Sequence, residues 1–263
     1  MITVDINPAI IKLGTFEIRW YGLMYVLGFL IAGQIFKKLC RSGFMRFPEK
    51  EVDNYITYLL IGMLIGARFA FVFIYNWDSY SANPMDILAV WKGGLSFHGA
   101  VVGLAAATYL FARKHGAPFF SISDSLALAA GPGLFLGRMG NFINGELWGR
   151  VTDVPWAMIF PEGGPFPRHP SQLYEGILEG IVLGLILWFI KSKVKIHGII
   201  SASFILGYGV FRFCIEYFRE PDSQLGYFFS LGWTMGQILC LIMVLVSGVI
   251  FYCAKKQNIK ISM

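Results

Sequence analysis

The chain has 263 residues, 56% of them hydrophobic and only 14% charged, with a mean hydropathy of +0.60. Ordinary soluble domains are about 45–50% apolar and about 25% charged, so the composition excludes a disordered chain and a water-facing globular enzyme. The net charge of +6 arises from 22 Lys and Arg against 16 Asp and Glu, and in an apolar chain its first meaning is membrane topology rather than nucleic acid.

The N-terminal segment MITVDINPAIIKLG lacks the basic, apolar and small-residue order of a cleaved signal peptide. About 20 apolar residues cross the hydrocarbon layer. Seven stretches meet that length, at roughly 18–38, 54–75, 94–113, 122–140, 172–191, 197–217 and 233–253. The expected fold is all-α, a polytopic membrane protein with seven transmembrane helices in one integral membrane domain over residues 1–263. The fourth stretch contains Gly131-Pro132-Gly133, which should weaken or kink its helix, lining a cavity or simply serving packing. The longest remainder, 141–171, is rich in Gly, Pro and Trp and reads as a periplasmic element of undefined fold. Cys40, Cys214, Cys240 and Cys253 lie in or beside apolar runs and form no CxxC pair. They read as small buried apolar residues, not as a disulfide framework or a zinc site, and the four scattered histidines make no metal site.

Positive charges in short loops orient the helices. Thirteen of the 22 fall on one side, in the connections around 37–50, 113–114, 191–195 and 255–260, and six fall on the other. This bias places the N-terminus in the periplasm and the C-terminus in the cytoplasm. Arg68, Arg138 and Arg212 remain, inside spans. In that orientation all three lie in the outer half of the membrane, with Tyr21, His98, Glu175 and Glu179 at the same level. Glu216 follows Arg212 by four residues, on the same helix face.

An arginine inside a span costs at least a few kcal/mol and faces a partner or a wet cavity. Convergence on one layer implies a pocket for an anionic lipid headgroup, for which guanidinium is a fitting donor. Plainer readings exist for each residue. Arg68 can pair with an acidic neighbour, Arg212 with Glu216 alone, and Glu175 and Glu179 can be counter-charges. His98 can be a hydrogen-bonded packing residue, and Tyr21 with Trp20 an interfacial belt. His115 and His197 read as solvated residues of cytoplasmic connections.

The densest polar stretch is Gly137-Arg138-Met139-Gly140-Asn141-Phe142-Ile143-Asn144-Gly145-Glu146-Leu147-Trp148-Gly149-Arg150. Its chemistry alone says only that it forms a polar ligand site, with asparagine amides able to donate to ester or phosphate oxygens. As a pattern, GRMGNFINGELWG resembles the signature of the prolipoprotein diacylglyceryl transferase family. The resemblance covers nearly the whole chain. It includes Arg19-Trp20-Tyr21-Gly22-Leu23-Met24-Tyr25, Gly94-Leu95-Ser96-Phe97-His98-Gly99 and Arg168-His169-Pro170-Ser171-Gln172-Leu173-Tyr174-Glu175. It continues through Tyr208-Gly209-Val210-Phe211-Arg212-Phe213 and Glu216-Tyr217-Phe218-Arg219. Ala100 stands where the family usually has a second glycine, a departure that implies a small packing change.

The resemblance implies a multi-pass protein of the bacterial inner membrane. It also implies transfer of the diacylglyceryl group of phosphatidylglycerol to the lipobox cysteine of a preprolipoprotein signal peptide, with release of glycerol phosphate. The residues it carries over are Tyr21, His98, Arg138, Asn141, Glu146, Gly149, Tyr208 and Arg212, to which the stretch above adds Asn144 as a substrate contact. Tyr21, His98, Arg138 and Arg212 are the expected catalytic set. Arg138 and Arg212 would bind the phosphodiester, and His98 would take the thiol proton or serve as scaffold. No metal or organic cofactor is implied, and no nucleic-acid partner; the partners are the two substrates and membrane lipid. Two other classes compete. An anion or lipid transporter would also bury arginines, but no internal repeat is present. A serine protease would need Ser96 and His98 to meet, and two residues apart on one helix they point to different faces.

Overall fold

The computed structural model describes residues 2–14, 16–220, 227–228 and 233–261. It opens with the short strands β1 (Ile2–Thr3), β2 (Ala9–Leu13) and β3 (Phe16–Arg19), of which β2 and β3 form an antiparallel hairpin. The helices follow: α1 (Trp20–Arg41), α2 (Val52–Ala70), α3 (Trp77–Ala82), α4 (Phe97–Lys114) and α5 (Phe119–Ile143). Strand β4 (Met158–Ile159) pairs in parallel with β1. Helices α6 (Ser171–Glu175), α7 (Leu183–Lys191) and α8 (Ile199–Ile215) come next, then β5 (Tyr227–Phe228), β6 (Trp233–Thr234) and α9 (Met235–Gln257).

Five helical stretches are long and apolar enough to cross a membrane: Trp20–Arg41, Glu49–Tyr75, Phe119–Ile143, Ser171–Lys191 and Met235–Gln257. Helix α8 is a shorter apolar helix. Helix α4, with His98 near one end and Arg113 and Lys114 at the other, falls outside the five. The burial pattern is that of a protein dissolved in lipid. Leu30, Ile65, Val102, Leu185 and Leu245 are each at least 60% exposed, whereas Arg68, Asp124, Glu175 and Glu179 are buried.

The chain divides into two compact units, Met1–Ile35 with Asp124–Ser262, and Phe36–Ser123. In the second unit α2 and α4 meet through Gly62, Gly66, Gly99 and Gly103. A Cβ on Gly66 would stand 2.3 Å from the Gly99 carbonyl oxygen, so only glycine lets the two backbones approach this closely. In the first unit the Gly131-Pro132-Gly133 run does not break α5, which is helical throughout. Gly131 instead serves contact, since a Cβ there would stand 2.6 Å from the Gly180 carbonyl oxygen. The helical irregularities lie elsewhere, in π-helical turns at Phe71–Tyr75 and Gly176–Val182.

His197 is fully buried, in contrast to the solvated position read from the sequence, and His115 is half-buried against Phe111. The cause at His197 is Asp124. Its carboxylate accepts from the Gly198 and Ser201 amides at 2.7 and 2.8 Å, capping α8 in place of a residue of its own segment. The His197 ring is drawn in beside it, Nδ1 lying 3.5 Å from Asp124 Oδ2. Among the cysteines Cys240 is buried, Cys40 and Cys253 are half-buried and Cys214 is exposed on an apolar face.

The 141–171 stretch folds around Arg168. Its backbone bridges Val151 and Met158, and its guanidinium donates to the Gly163 and Gly149 carbonyls at 3.0 and 3.2 Å. Glu220 closes an ion pair with it at 3.1 Å. Nearby, partial burial lowers the pKa of His169, whose ring meets the Tyr174 hydroxyl at 3.1 Å.

Candidate active site

Arg138, in the last turns of α5, and Arg212, in the last turn of α8, meet on one carboxylate oxygen. Glu175 Oε2 lies 2.6 Å from Arg138 Nη2 and 3.1 Å from Arg212 Nη1. Glu179 Oε2 stands 3.8 Å from Arg138 Nη2, and Glu216 Oε2 stands 2.9 Å from Arg212 Nη2. Both Glu175 and Glu179 are fully buried, while the two arginine side chains keep 17% and 14% exposure. The carboxylates are thus enclosed, and the two arginine side chains are partly exposed.

Local sequence explains how they come together. Glu175 ends α6 and Glu179 sits in the π-helical turn that begins at Gly176, a kind of turn that recurs at functional sites. Gly176 lets that turn approach α5, since a Cβ there would already lie 3.4 Å from Arg138 Cβ. On the other side the Thr234 hydroxyl donates to Glu216 Oε1 at 2.9 Å. Thr234 also caps α9 by accepting from the Gln237 amide, so the start of α9 is tied to the carboxylate beside Arg212.

A second branch leaves Arg138. Its Nη1 reaches Asn141 Oδ1 at 3.5 Å, at the long limit of a hydrogen bond. Asn141 and Asn144 both donate to Glu146 Oε1, at 2.8 and 3.1 Å. Gln172 holds the Glu146 carbonyl at 2.7 Å and Ser171 the Leu147 carbonyl at 2.9 Å. Leu147 has a left-handed φ of 59°, a strained conformation for leucine that this turn imposes. The Tyr21 ring rests on Gly140, where a Cβ would stand 2.7 Å from its edge, and its hydroxyl meets that of Tyr25 at 3.2 Å. Tyr208 is buried in α8, one turn before Arg212.

Most of the residues singled out from the sequence therefore form one connected chain from Asn144 through Glu146, Asn141, Arg138 and Glu175 to Arg212 and Glu216. Gly149 does something different. Its amide donates to the His169 carbonyl at 2.8 Å, and a Cβ would stand 2.4 Å from the Phe218 carbonyl oxygen, so it closes a tight backbone crossing. His98 belongs to the unit Phe36–Ser123 and the other eight residues to the first unit. It occupies the first turn of α4, behind the Ser96 cap, and is exposed. Its ring meets that of Phe97, and it lines an apolar groove of about 640 Å³ along α2 and α4.

Arg68 pairs with no acidic side chain among the described residues. It donates instead to the main-chain carbonyls of Asp86, Ile87, Ala89, Gly93 and Gly94. Thr234, Gln172 and Gly140 were not readable as site residues, because each acts through a contact set by the fold.

Known proteins settle what this arrangement belongs to. The family model described as prolipoprotein diacylglyceryl transferase matches residues 8–253. The chain belongs to the prolipoprotein diacylglyceryl transferase family. It is 48% identical over 242 residues to the phosphatidylglycerol–prolipoprotein diacylglyceryl transferase of Nitratidesulfovibrio vulgaris, covering 92% of each chain. To the protein of the same name from Oleidesulfovibrio alaskensis it is 46% identical over 253 residues, 96% of this chain and 94% of that one. To that of Pseudomonas paraeruginosa it is 44% identical over 259 residues, 97% and 96% of the two chains. Every residue of the arginine–carboxylate chain lies inside the segment that matches the transferase family.

Proposed function

We propose that this protein transfers the diacylglyceryl group of phosphatidylglycerol to the thiol of the lipobox cysteine of a preprolipoprotein, in the bacterial inner membrane. The observation that carries the reading is the pair of arginines sharing Glu175 Oε2. Two guanidinium groups held on one carboxylate oxygen, in side chains that are partly exposed, bring together the donors that a phosphodiester's two free oxygens need. Family membership supplies the reaction.

The thiolate attacks the carbon of the diacylglyceryl moiety that is bonded to the phosphate ester oxygen. A C–S bond forms, the C–O bond breaks, and the electron pair leaves with glycerol phosphate. Arg138 and Arg212 stabilise the charge that grows on the leaving phosphate, an effect of about 3–4 kcal/mol per donor in a site of low dielectric. His98 takes the thiol proton, a task suited to a histidine at neutral pH. Asn141, Asn144 and Glu146 orient Arg138 and the headgroup, Tyr21 and Tyr208 flank it, and Gly149 keeps the turn beside it closed. Glu175 keeps both arginines aligned and is the competitor that phosphate must displace in part.

In this reading the protein is one integral membrane domain of seven spans, α4 and α8 completing the five longer helices. The N-terminus is periplasmic and the C-terminus cytoplasmic, and residues 141–171 form a periplasmic element. The test is incubation of the purified protein in phosphatidylglycerol vesicles with a lipobox peptide. Peptide heavier by one diacylglyceryl group, with an equal amount of glycerol phosphate, is the expected result. Unmodified peptide, or anion flux across the vesicle without product, contradicts it.

A further inference from the structure

We infer that Arg68 is a positioning residue for His98, clamping the segment that carries the histidine; the inference rests on the transferase reading above. A buried arginine in a membrane-spanning helix needs partners for five N–H donors. Arg68 is 5% exposed and takes all of its partners from one loop. Nε donates to the Ile87 carbonyl at 2.9 Å, Nη1 to those of Gly93 and Gly94 at 2.7 and 3.0 Å, and Nη2 to those of Asp86 and Ala89 at 2.5 and 3.4 Å. The Tyr80 ring covers the guanidinium at 5.0 Å. No donor edge is left for a ligand.

What the clamp holds is the lead-in to α4. Gly93 and Gly94 both have left-handed φ, 83° and 77°, and the Gly94 backbone lies on the Phe71 ring, where a Cβ would stand 2.4 Å from Cε1. Two residues later the Ser96 amide donates to the Ala67 carbonyl at 3.0 Å, next to Arg68 in sequence, and the Ser96 hydroxyl caps α4 at the Gly99 amide. His98 is the second residue of the helix so fixed. Its own ring has no hydrogen-bond partner among the described residues. With no hydrogen bond on the ring, its placement follows the backbone of this turn, which Arg68 clamps together with the Ser96–Ala67 bond.

The test compares Arg68→Gln and Arg68→Lys with the parent, each with and without His98→Asn. Displacement of a reacting group by about 1 Å costs about 100-fold, so Arg68→Gln should lower kcat on that order while KM for phosphatidylglycerol stays within about threefold. Lysine, a single point of donation, should restore little of the rate. In the His98→Asn background either change should add almost nothing, because the group it positions is gone. An equal loss in both backgrounds overturns the inference, as does full rescue by lysine. Hydrogen exchange reads the clamp without activity. Faster exchange in Arg68→Lys confined to residues 86–99 supports it, and exchange unchanged there, or raised equally along α2 and α4, overturns it. Parent protein that transfers nothing refutes the transferase reading, and the exchange arm then decides the clamp alone.

Discussion

Arg68 and the pair Arg138 and Arg212 satisfy the same needs in opposite ways. All three are arginines of apolar helices, Arg68 buried and Arg138 and Arg212 half-buried. Arg68 gives every donor to main-chain carbonyls of one loop, at distances of 2.5 to 3.4 Å. Arg138 and Arg212 are neutralised by carboxylates, and their side chains keep 17% and 14% exposure. Carbonyl partners use up a guanidinium and turn it into a structural knot. A shared carboxylate brings two of them to one oxygen, and the proposed function assigns their other donors to the lipid phosphate. Under the proposed function, this difference in partners separates a binding arginine from a positioning one.

The largest expected effect tests the binding side. Arg138→Ala and Arg212→Ala should each lower transfer at least about 100-fold, the usual cost of removing one preorganised donor. Next is Glu175→Gln, which keeps the shape and removes the charge both arginines share. Breaking one partner of a buried ion pair costs about 3–5 kcal/mol, so a lower unfolding temperature in detergent and a higher KM for phosphatidylglycerol are expected. Unchanged KM would mean that the arginines align without Glu175. Third is Gly99→Ala, whose Cβ would stand 2.2 Å from the Gly66 carbonyl oxygen. Overpacking of this kind costs about 1–3 kcal/mol, seen as a drop in Tm. Since it strains the α2–α4 contact beneath His98, its rate loss should resemble that of Arg68→Gln and not that of Arg138→Ala.

The smallest effect lies on the exposed hairpin. Lys12 first, and Arg19 with it, hold the Glu17 carboxyl below its usual range, at 3.1 and 2.9 Å. A lowered carboxyl pKa stabilises the fold above the ordinary carboxylate range, and the contribution is lost as pH falls through the lowered value. Glu17→Gln should therefore reduce Tm slightly at neutral pH and not at all in acid. Exposed pairs contribute little, and a large loss would mean that the hairpin does more than cover the start of α1.

Much of this was legible in the sequence. Arg212 and Glu216 lie four apart on one helix, and their 2.9 Å pair follows from that spacing. Apolar length located the helices, and the GRMGNFINGELWG stretch marked the turn that holds Asn141, Asn144 and Glu146. For Arg68 the sequence offered depth in a span and an acidic neighbour as the plain partner, and its true partners were not readable. Its partners lie 18 to 26 residues away and are main-chain atoms, which carry no residue identity. The π-helical turn that brings Glu175 and Glu179 to the arginines was hidden for a related reason, since periodicity assumes one regular helix. His197 was misread as solvated because Asp124, 73 positions earlier, caps α8 from another helix.

The central claim is that the two arginines sharing Glu175 bind the phosphate of the lipid. Steady-state transfer from phosphatidylglycerol to a lipobox peptide, measured for Arg138→Ala and Arg212→Ala beside the parent, tests it most directly. The account predicts product from the parent and a rate at least about 100-fold lower from each variant. Near-normal rates from both variants would contradict it.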